Sequence, residues 1–339
     1  MSAGSDEPQP VAAAGAVTPG WAAFMVLQMA LWATSYPVVA IVVGENGLTG
    51  LELTAVRGIA SAFLLSPVWM IALAKRGLPP VGDTLRIMAW GGWYFGLTLI
   101  CFNTSIEWGR PELSGVLFAG FPIVLAAMAA LFGVEKWDRR AVPYVLIALT
   151  GALIVVTRGD VRQIAVLGED LRATGLMLVT LVMIAAYALG AKRLLATYPP
   201  LLFTSLALAG GSLVLLVALV LAPGSVIEVL KIAPKPVLWG TIYLIVICTC
   251  LTEWMSMTGL RQLSVLMVGV FNYLQPPLIV LFSMILPESR AAFGWPMVIG
   301  GLLILCGASA VGTMTPDRPP WPELLLRRAR GIAEADTHR

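Results

Sequence analysis

From about Trp21 to Thr313 the chain is a succession of apolar segments, separated only by short polar breaks. A hydrocarbon layer of roughly 30 Å takes about 20 helical residues to cross at about 1.5 Å per residue, so segments of this length read as membrane spans. Length, polar breaks and Pro/Gly punctuation place ten of them, at residues 21–43, 51–73, 86–106, 112–133, 141–157, 173–195, 200–222, 237–258, 264–286 and 293–313. The expected fold is an all-α polytopic membrane protein with ten transmembrane helices.

Composition excludes the alternative of a large soluble protein. Of 339 residues 58% are hydrophobic and 12% charged, with mean hydropathy +0.87, and ten such helices could not all lie in one interior. The formal net charge of +3 is small, and the basic residues fall mainly in loops and the C-terminal tail. That distribution suits anionic lipid headgroups and gives no footprint for nucleic acid. Cys101, Cys248, Cys250 and Cys306 sit in apolar runs, where thiols behave as small hydrophobes. With one histidine, His338, near the C-terminus, neither a disulfide nor a metal set is expected. Residues 1–18 carry Asp6 and Glu7 and no basic residue, so they read as a disordered tail rather than a secretory signal, and the first apolar segment is retained as a span.

Charge sets the expected orientation. A cytoplasmic N-terminus places Lys75, Arg76, Arg86, Lys136, Arg139, Arg140, Lys192, Arg193, Arg261 and the five tail arginines inside, against Arg110, Arg158, Arg162, Arg172, Lys231, Lys235 and Arg290 outside. The positive-inside preference therefore favours two cytoplasmic termini, in a bacterial-type inner membrane.

The polar stretch 158–172 divides the chain into two sets of five spans, residues 19–157 and 173–314, with a C-terminal tail at 315–339. An odd number of spans per half starts the second half on the opposite side of the membrane, so homologous halves would be inverted repeats. A faint internal echo supports this: Pro122 precedes Glu135 by 13 residues, and Pro276 precedes Glu288 by 12.

These features resemble the drug/metabolite transporter superfamily, in the group built from two EamA domains. The motifs that carry the resemblance are Leu31-Trp32-Ala33-Thr34-Ser35-Tyr36-Pro37 in the first span, Arg57 within Ala55-Val56-Arg57-Gly58 in the second, and the proline–glutamate pairs Pro122/Glu135 and Pro276/Glu288. The chain departs from the pattern after Pro37, where no lysine follows, and at Pro276-Pro277 and Pro287. The resemblance implies export of amino acids or other small amphipathic metabolites by alternating access, or movement of a lipid or drug by a relative of the same fold.

Polar residues inside the spans are the candidate pathway. Gln28, Trp32 and Tyr36 recur at i, i+4 and i+8 and share a helix face, and Asn272 and Gln275, three apart, share another just before Pro276-Pro277. Amides and amphipathic rings directed into a bundle suit an organic substrate, although both also serve helix packing. Arg57, Tyr94, Asn103, Tyr187 and Trp254 complete the substrate or pathway candidates, and a charge such as Arg57 inside a span must snorkel, pair or face a wet cavity. Glu107 and Glu253 are candidates for proton coupling, and Pro37, Pro122, Pro276 and Pro277 for hinges. Gly91-Gly92, Gly115, Gly120, Gly210-Gly211, Gly300-Gly301 and Gly307 permit close helix approach. No nucleophile–base constellation and no phosphate-binding glycine loop is present, so neither an enzyme nor direct ATP hydrolysis is expected, and no cofactor is implied. The expected partners are a small organic metabolite, membrane lipids and protons, with a monomer as the simplest assembly.

Overall fold

The computed structural model describes residues 17–43, 48–76, 79–108, 117–118, 120–134, 139–157, 159–160, 162, 171–221, 233–283, 294–314, 320 and 322–323. Among these the architecture is all-α. The first span is α1 (Pro19–Ala33) and α2 (Ser35–Val42), followed by α3 (Gly50–Arg76) and then α4 (Val81–Gly91), which runs through a π-helical segment, Gly92–Thr98, into α5 (Leu99–Trp108). Next come α6 (Phe121–Leu131), α7 (Val142–Val156), α8 (Leu171–Leu195) and α9 (Pro200–Leu221). The third span of the second half is α10 (Lys235–Ile245), a π-helical segment, Val246–Leu251, and α11 (Thr252–Gln262); α12 (Val265–Phe271), α13 (Gln275–Ser283) and α14 (Trp295–Gly312) complete the chain.

Local sequence explains where these helices start and break. Thr18 caps α1 by accepting from the Trp21 amide at 3.4 Å, with Pro19 at the first position, where its missing N–H costs nothing. Thr49 and Glu52 cap α3 reciprocally: the Thr49 amide donates to Glu52 Oε2 at 2.8 Å and the Glu52 amide to Thr49 Oγ1 at 3.2 Å. The first span breaks at Thr34, three residues before Pro37, because a proline ring collides with the carbonyl one turn back and supplies no N–H to it. Pro122, partway along the expected span, occupies the first turn of α6, a position that asks nothing of its nitrogen. The backbone at Asn272–Leu274 tightens to a 3₁₀ turn before Pro276 and Pro277, so the break expected there is a change of winding rather than an open loop.

Among the described residues six helical spans are long and apolar enough to cross a bilayer: Pro19–Val39, Gly50–Lys75, Val81–Ser105, Leu171–Leu195, Pro200–Leu221 and Lys235–Gln262. The other four expected spans carry shorter helices among the described residues, so the count of ten rests on α6, α7, α12 with α13, and α14. Lipid tails are as apolar as leucine, so helices here associate through close packing rather than by escaping water. Glycine makes that possible. A Cβ at Gly91 would lie 1.8 Å from the Ala207 carbonyl oxygen and one at Gly210 2.0 Å from that of Met88, so α4 and α9 touch backbone to backbone. Gly151 and Gly300 do the same for α7 and α14, each 2.5 Å from the other's carbonyl oxygen by the same measure, whereas Gly301 faces open space. Gly115 lies outside the described residues.

The packing pattern places α3 against α9, α7 against α14 and α6 against α12. Helix α1 packs on α11 and α13, and α8 on α5 and α6, so helices from both halves of the chain surround one central space.

Candidate functional site

That space is a cavity of about 90 Å³, room for several water molecules. Its position follows from the residues that line it: Gln28 and Trp32 of α1, Tyr187 of α8 and Glu253 of α11 all lie near the middle of their spans. The 3.6-residue repeat explains much of the lining. Glu253, Ser256, Met257 and Leu260 recur at i, i+3, i+4 and i+7 and form one face, while Val268, Asn272 and Gln275 form another.

The aromatic wall is built across elements. Tyr94, in the π-helical segment Gly92–Thr98, stacks on Tyr187 with ring centroids 4.2 Å apart and planes 1° from parallel. The same segment is tied to α8 by Trp93, whose Nε1 donates to the Met183 carbonyl at 3.0 Å. Each π-helical segment holds a threonine that bonds five residues back: Thr98 Oγ1 donates to Trp93 O and Thr249 Oγ1 to Leu244 O, both at 2.7 Å. Single wide turns of this kind re-aim side chains without ending a helix and occur often at functional sites.

The polar groups of the cavity form two sets. Tyr187 Oη donates to Glu253 Oε1 at 3.2 Å, and Glu253 makes no ion pair among the described residues although it is only 8% exposed. Asn272 Nδ2 donates to the Val268 carbonyl at 2.8 Å, and Gln275 Nε2 donates to Asn272 Oδ1 at 2.7 Å. The Oε1 atoms of Gln28 and Gln275 are buried without a hydrogen-bond partner among the described residues. Buried polar atoms are ordinarily paired, so these two oxygens keep hydrogen-bonding capacity that the described protein groups do not use.

The cavity therefore brings together Gln28, Trp32, Tyr94, Tyr187, Glu253, Asn272 and Gln275 from the residues expected in the pathway. Three others lie elsewhere. Asn103 of α5 donates through Nδ2 to Thr54 Oγ1 of α3, which makes it a packing amide. Trp254, next to Glu253 but turned from it by the helix, meets Phe24 edge-on with centroids 6.5 Å apart. Arg57 points at the second π-helical segment, where Nε and Nη2 donate to Thr249 Oγ1 at 3.2 and 3.1 Å and Nη2 to the Cys248 carbonyl at 3.5 Å. Its partners are neutral, and it forms no ion pair among the described residues. The side chains of Tyr36, Glu107 and Pro276, and residues Glu135 and Glu288 entirely, lie outside the described residues.

Some groups escaped the sequence reading. Lys192, assigned there to an inner loop, is 7% exposed within α8 and donates to the Leu260 and Leu263 carbonyls at 2.7 and 2.6 Å, closing the C-terminal end of α11. Ser256 was legible through its i+3 spacing from Glu253, whereas Phe118 and Phe121 gave no polar signal to follow.

Residues 171–313 match the EamA-like transporter family. A protein of Streptantibioticus cattleyicolor named "Probable terminal-alkyne amino-acid exporter" is 23% identical over 296 residues, covering 84% of this chain and 92% of that protein. A solved crystal structure superimposes with a TM-score of 0.67 at 16% identity, covering 87% of this chain and 97% of the other, which establishes the shared fold. The chain is a multi-pass transporter rather than an enzyme, similar across its second half to the EamA-like transporter family.

Proposed function

We propose that this protein exports amino acids or similar small amphipathic metabolites by alternating access of two inverted five-helix repeats, residues 19–157 and 173–314, joined by the linker 158–172. The observation that carries the reading is the mid-membrane cavity, lined by stacked aromatic rings, by two amides whose buried oxygens are unpaired among the described residues, and by a carboxyl group. Such a lining suits a substrate with one apolar and one hydrogen-bonding end. The relative named as an amino-acid exporter supports both the substrate class and the outward direction.

Support for the repeats comes from the third span of each half, where an 11-residue α-helix passes into a π-helical segment, at Gly92–Thr98 and at Val246–Leu251. The helix contacts follow the same relation: α1 packs on α11 and α13 much as α8 packs on α5 and α6. Inverted repeats give two related conformations around one central site. In this reading Arg57 and the α3–π segment contact help close one end of the pathway, and both termini face the cytoplasm across an inner membrane.

A second reading, movement of a lipid or drug, is favoured by the apolar groove along α2 and α10, where Val38, Ile41, Trp239 and Ile242 form an open surface. One experiment separates the two: efflux of radiolabelled amino acids, small metabolites, a fluorescent lipid and a cationic dye from vesicles carrying the protein, with and without a proton gradient. Amino-acid efflux well above that of protein-free vesicles is expected, and lipid or dye movement alone would transfer the assignment to the second reading. Glu253, and by the sequence reading Glu107, are the carboxyl groups for coupling to protons. Glu253→Gln keeps the shape and removes titration, so the pH profile of efflux should flatten; retention of the profile in the Glu107→Gln/Glu253→Gln double variant rejects coupling through them.

A further inference from the structure

The unpaired groups of the cavity share one chemical character. For Gln275 the direction is fixed by a chain of obligatory hydrogen bonds that starts at the backbone. The Val268 carbonyl can only accept, so the Asn272 amide turns its nitrogen to it and its oxygen to Gln275. Gln275 must then present nitrogen to Asn272, which leaves its oxygen without a donor among the described residues. Gln28 Oε1 is orphaned in the same cavity, and both side chains belong to residues that are 4% exposed. Glu253 adds a carboxyl group whose described partner is one tyrosine hydroxyl. Gln28, Gln275 and Glu253 thus bring two unsatisfied buried amide oxygens and an acid to the lining of the space, while the amide hydrogens of Asn272 and Gln275 are directed into the protein's own bonds.

Resting on the transport reading above, we infer that this cavity is a subsite for a primary ammonium group, held by Glu253, Gln28 and Gln275, so that the amine rather than the carboxylate of a substrate is what the central site recognises. An R–NH₃⁺ group brings three donors and a positive charge, which matches the acceptors in number and Glu253 in sign. An anionic head would meet the acid and two oxygens instead, leaving every one of them unsatisfied. Phe118, Phe121, Leu125 and Ile184 line the remainder of the cavity and take the hydrocarbon end of the molecule. Arg57 is poorly placed to read a carboxylate at the same time. Its partners Cys248 and Thr249 precede Glu253 on the same span by four to five residues, roughly 6–8 Å along the axis.

The test uses the full chain purified in detergent and three probes with the same four-carbon tail: L-norvaline, n-butylamine and n-valerate at pH 7. Thermal stabilisation reports binding without requiring transport. Butylamine and norvaline are expected to stabilise the wild-type protein and valerate to have no effect. In Glu253→Gln the butylamine midpoint concentration should rise at least about tenfold, the scale of a lost charge-assisted hydrogen bond. Gln28→Leu, which keeps the acid, should raise it by about three- to tenfold. Absence of stabilisation by butylamine, equal stabilisation by valerate, or an unchanged butylamine response in folded Glu253→Gln each overturns the subsite. The wild-type comparison stands even where a variant does not fold. Failure of the transport reading looks different: butylamine binds, yet vesicles carrying the protein show no counterflow of norvaline or any other amine. Conversely, norvaline flux blocked by valerate and not by butylamine keeps the transporter and removes the ammonium site.

Discussion

A guanidinium inside a span must be given acceptors by the protein, because lipid offers none. Arg57 finds them in Thr249 and the Cys248 carbonyl, at the turn where α10 widens before α11. The fork shape of the side chain matters, since Nε and Nη2 converge on one hydroxyl while Nη2 also reaches the carbonyl. Arg57→Met is expected to strip these contacts and cost about 1.5–3 kcal/mol, the range for hydrogen bonds to a charged group. Arg57→Lys, a single ammonium point, should recover less than half of that loss. Thermal unfolding of the detergent-solubilised variants checks both statements, and a wild-type midpoint for Arg57→Met would make the contact incidental. The sequence required Arg57 to snorkel, pair or face a wet cavity, but could not point to Thr249, which lies 192 residues away. The amides read differently. Gln28 with Trp32, and Asn272 with Gln275, were legible because helical spacing alone fixes a shared face. Asn103 carries the same type of group and bonds Thr54 instead, because spacing does not say which neighbour that face meets.

At the scale of the element, the decisive contacts are made by what side chains omit. Gly300 and Gly301 are adjacent and chemically identical, yet a Cβ at Gly300 would meet the Gly151 carbonyl at 2.5 Å while one at Gly301 meets nothing within 4 Å. Gly300→Ala should therefore push α14 off α7 and destabilise by about 1–3 kcal/mol, the usual range for overpacking. Gly301→Ala should be neutral or stabilise by up to about 1 kcal/mol through helix propensity. Parallel thermal melts of the two variants decide the matter, and equal midpoints would remove the backbone contact as the reason for glycine at Gly300. Sequence could nominate these glycines for packing but could not rank the pair, because the ranking depends on helix rotation. The π-helical segments were also illegible. Neither Gly92–Thr98 nor Val246–Leu251 contains a proline, and each preserves the apolar run on which the span assignment rested. Their effect appears only in three dimensions, where one carries Tyr94 onto Tyr187 and the other offers the groups that receive Arg57.

For the whole molecule, the inverted-repeat proposal turns on whether the shorter helices cross the membrane. Eleven residues in α6 extend only about 16 Å, roughly half a hydrocarbon layer. Hydropathy could locate that segment but could not show that it crosses, and basic residues such as Arg139 and Arg140 supply only a bias. Counting crossings experimentally resolves it. In a background with Cys101, Cys248, Cys250 and Cys306 replaced, single cysteines at the exposed positions Lys75, Asp160, Thr197 and Lys235 sample the ends of successive spans. With ten spans and a cytoplasmic N-terminus, Asp160→Cys and Lys235→Cys should react with an impermeant maleimide in intact cells, and Lys75→Cys and Thr197→Cys only after permeabilisation. Three crossings separate Lys75 from Asp160 in this scheme, and a fourth, α8, returns the chain to the side of Lys75 at Thr197. If α6 or α7 alone fails to cross, the chain changes sides once fewer, and Lys75 and Thr197 label from opposite faces. That outcome would leave the first half with an even number of crossings, start the second half on the same side as the first, and end the inverted-repeat mechanism. Labelling of all four positions with the expected sidedness would instead give the first half its odd count and start the second half on the opposite side, the geometric condition for two repeats to exchange conformations around the cavity between them.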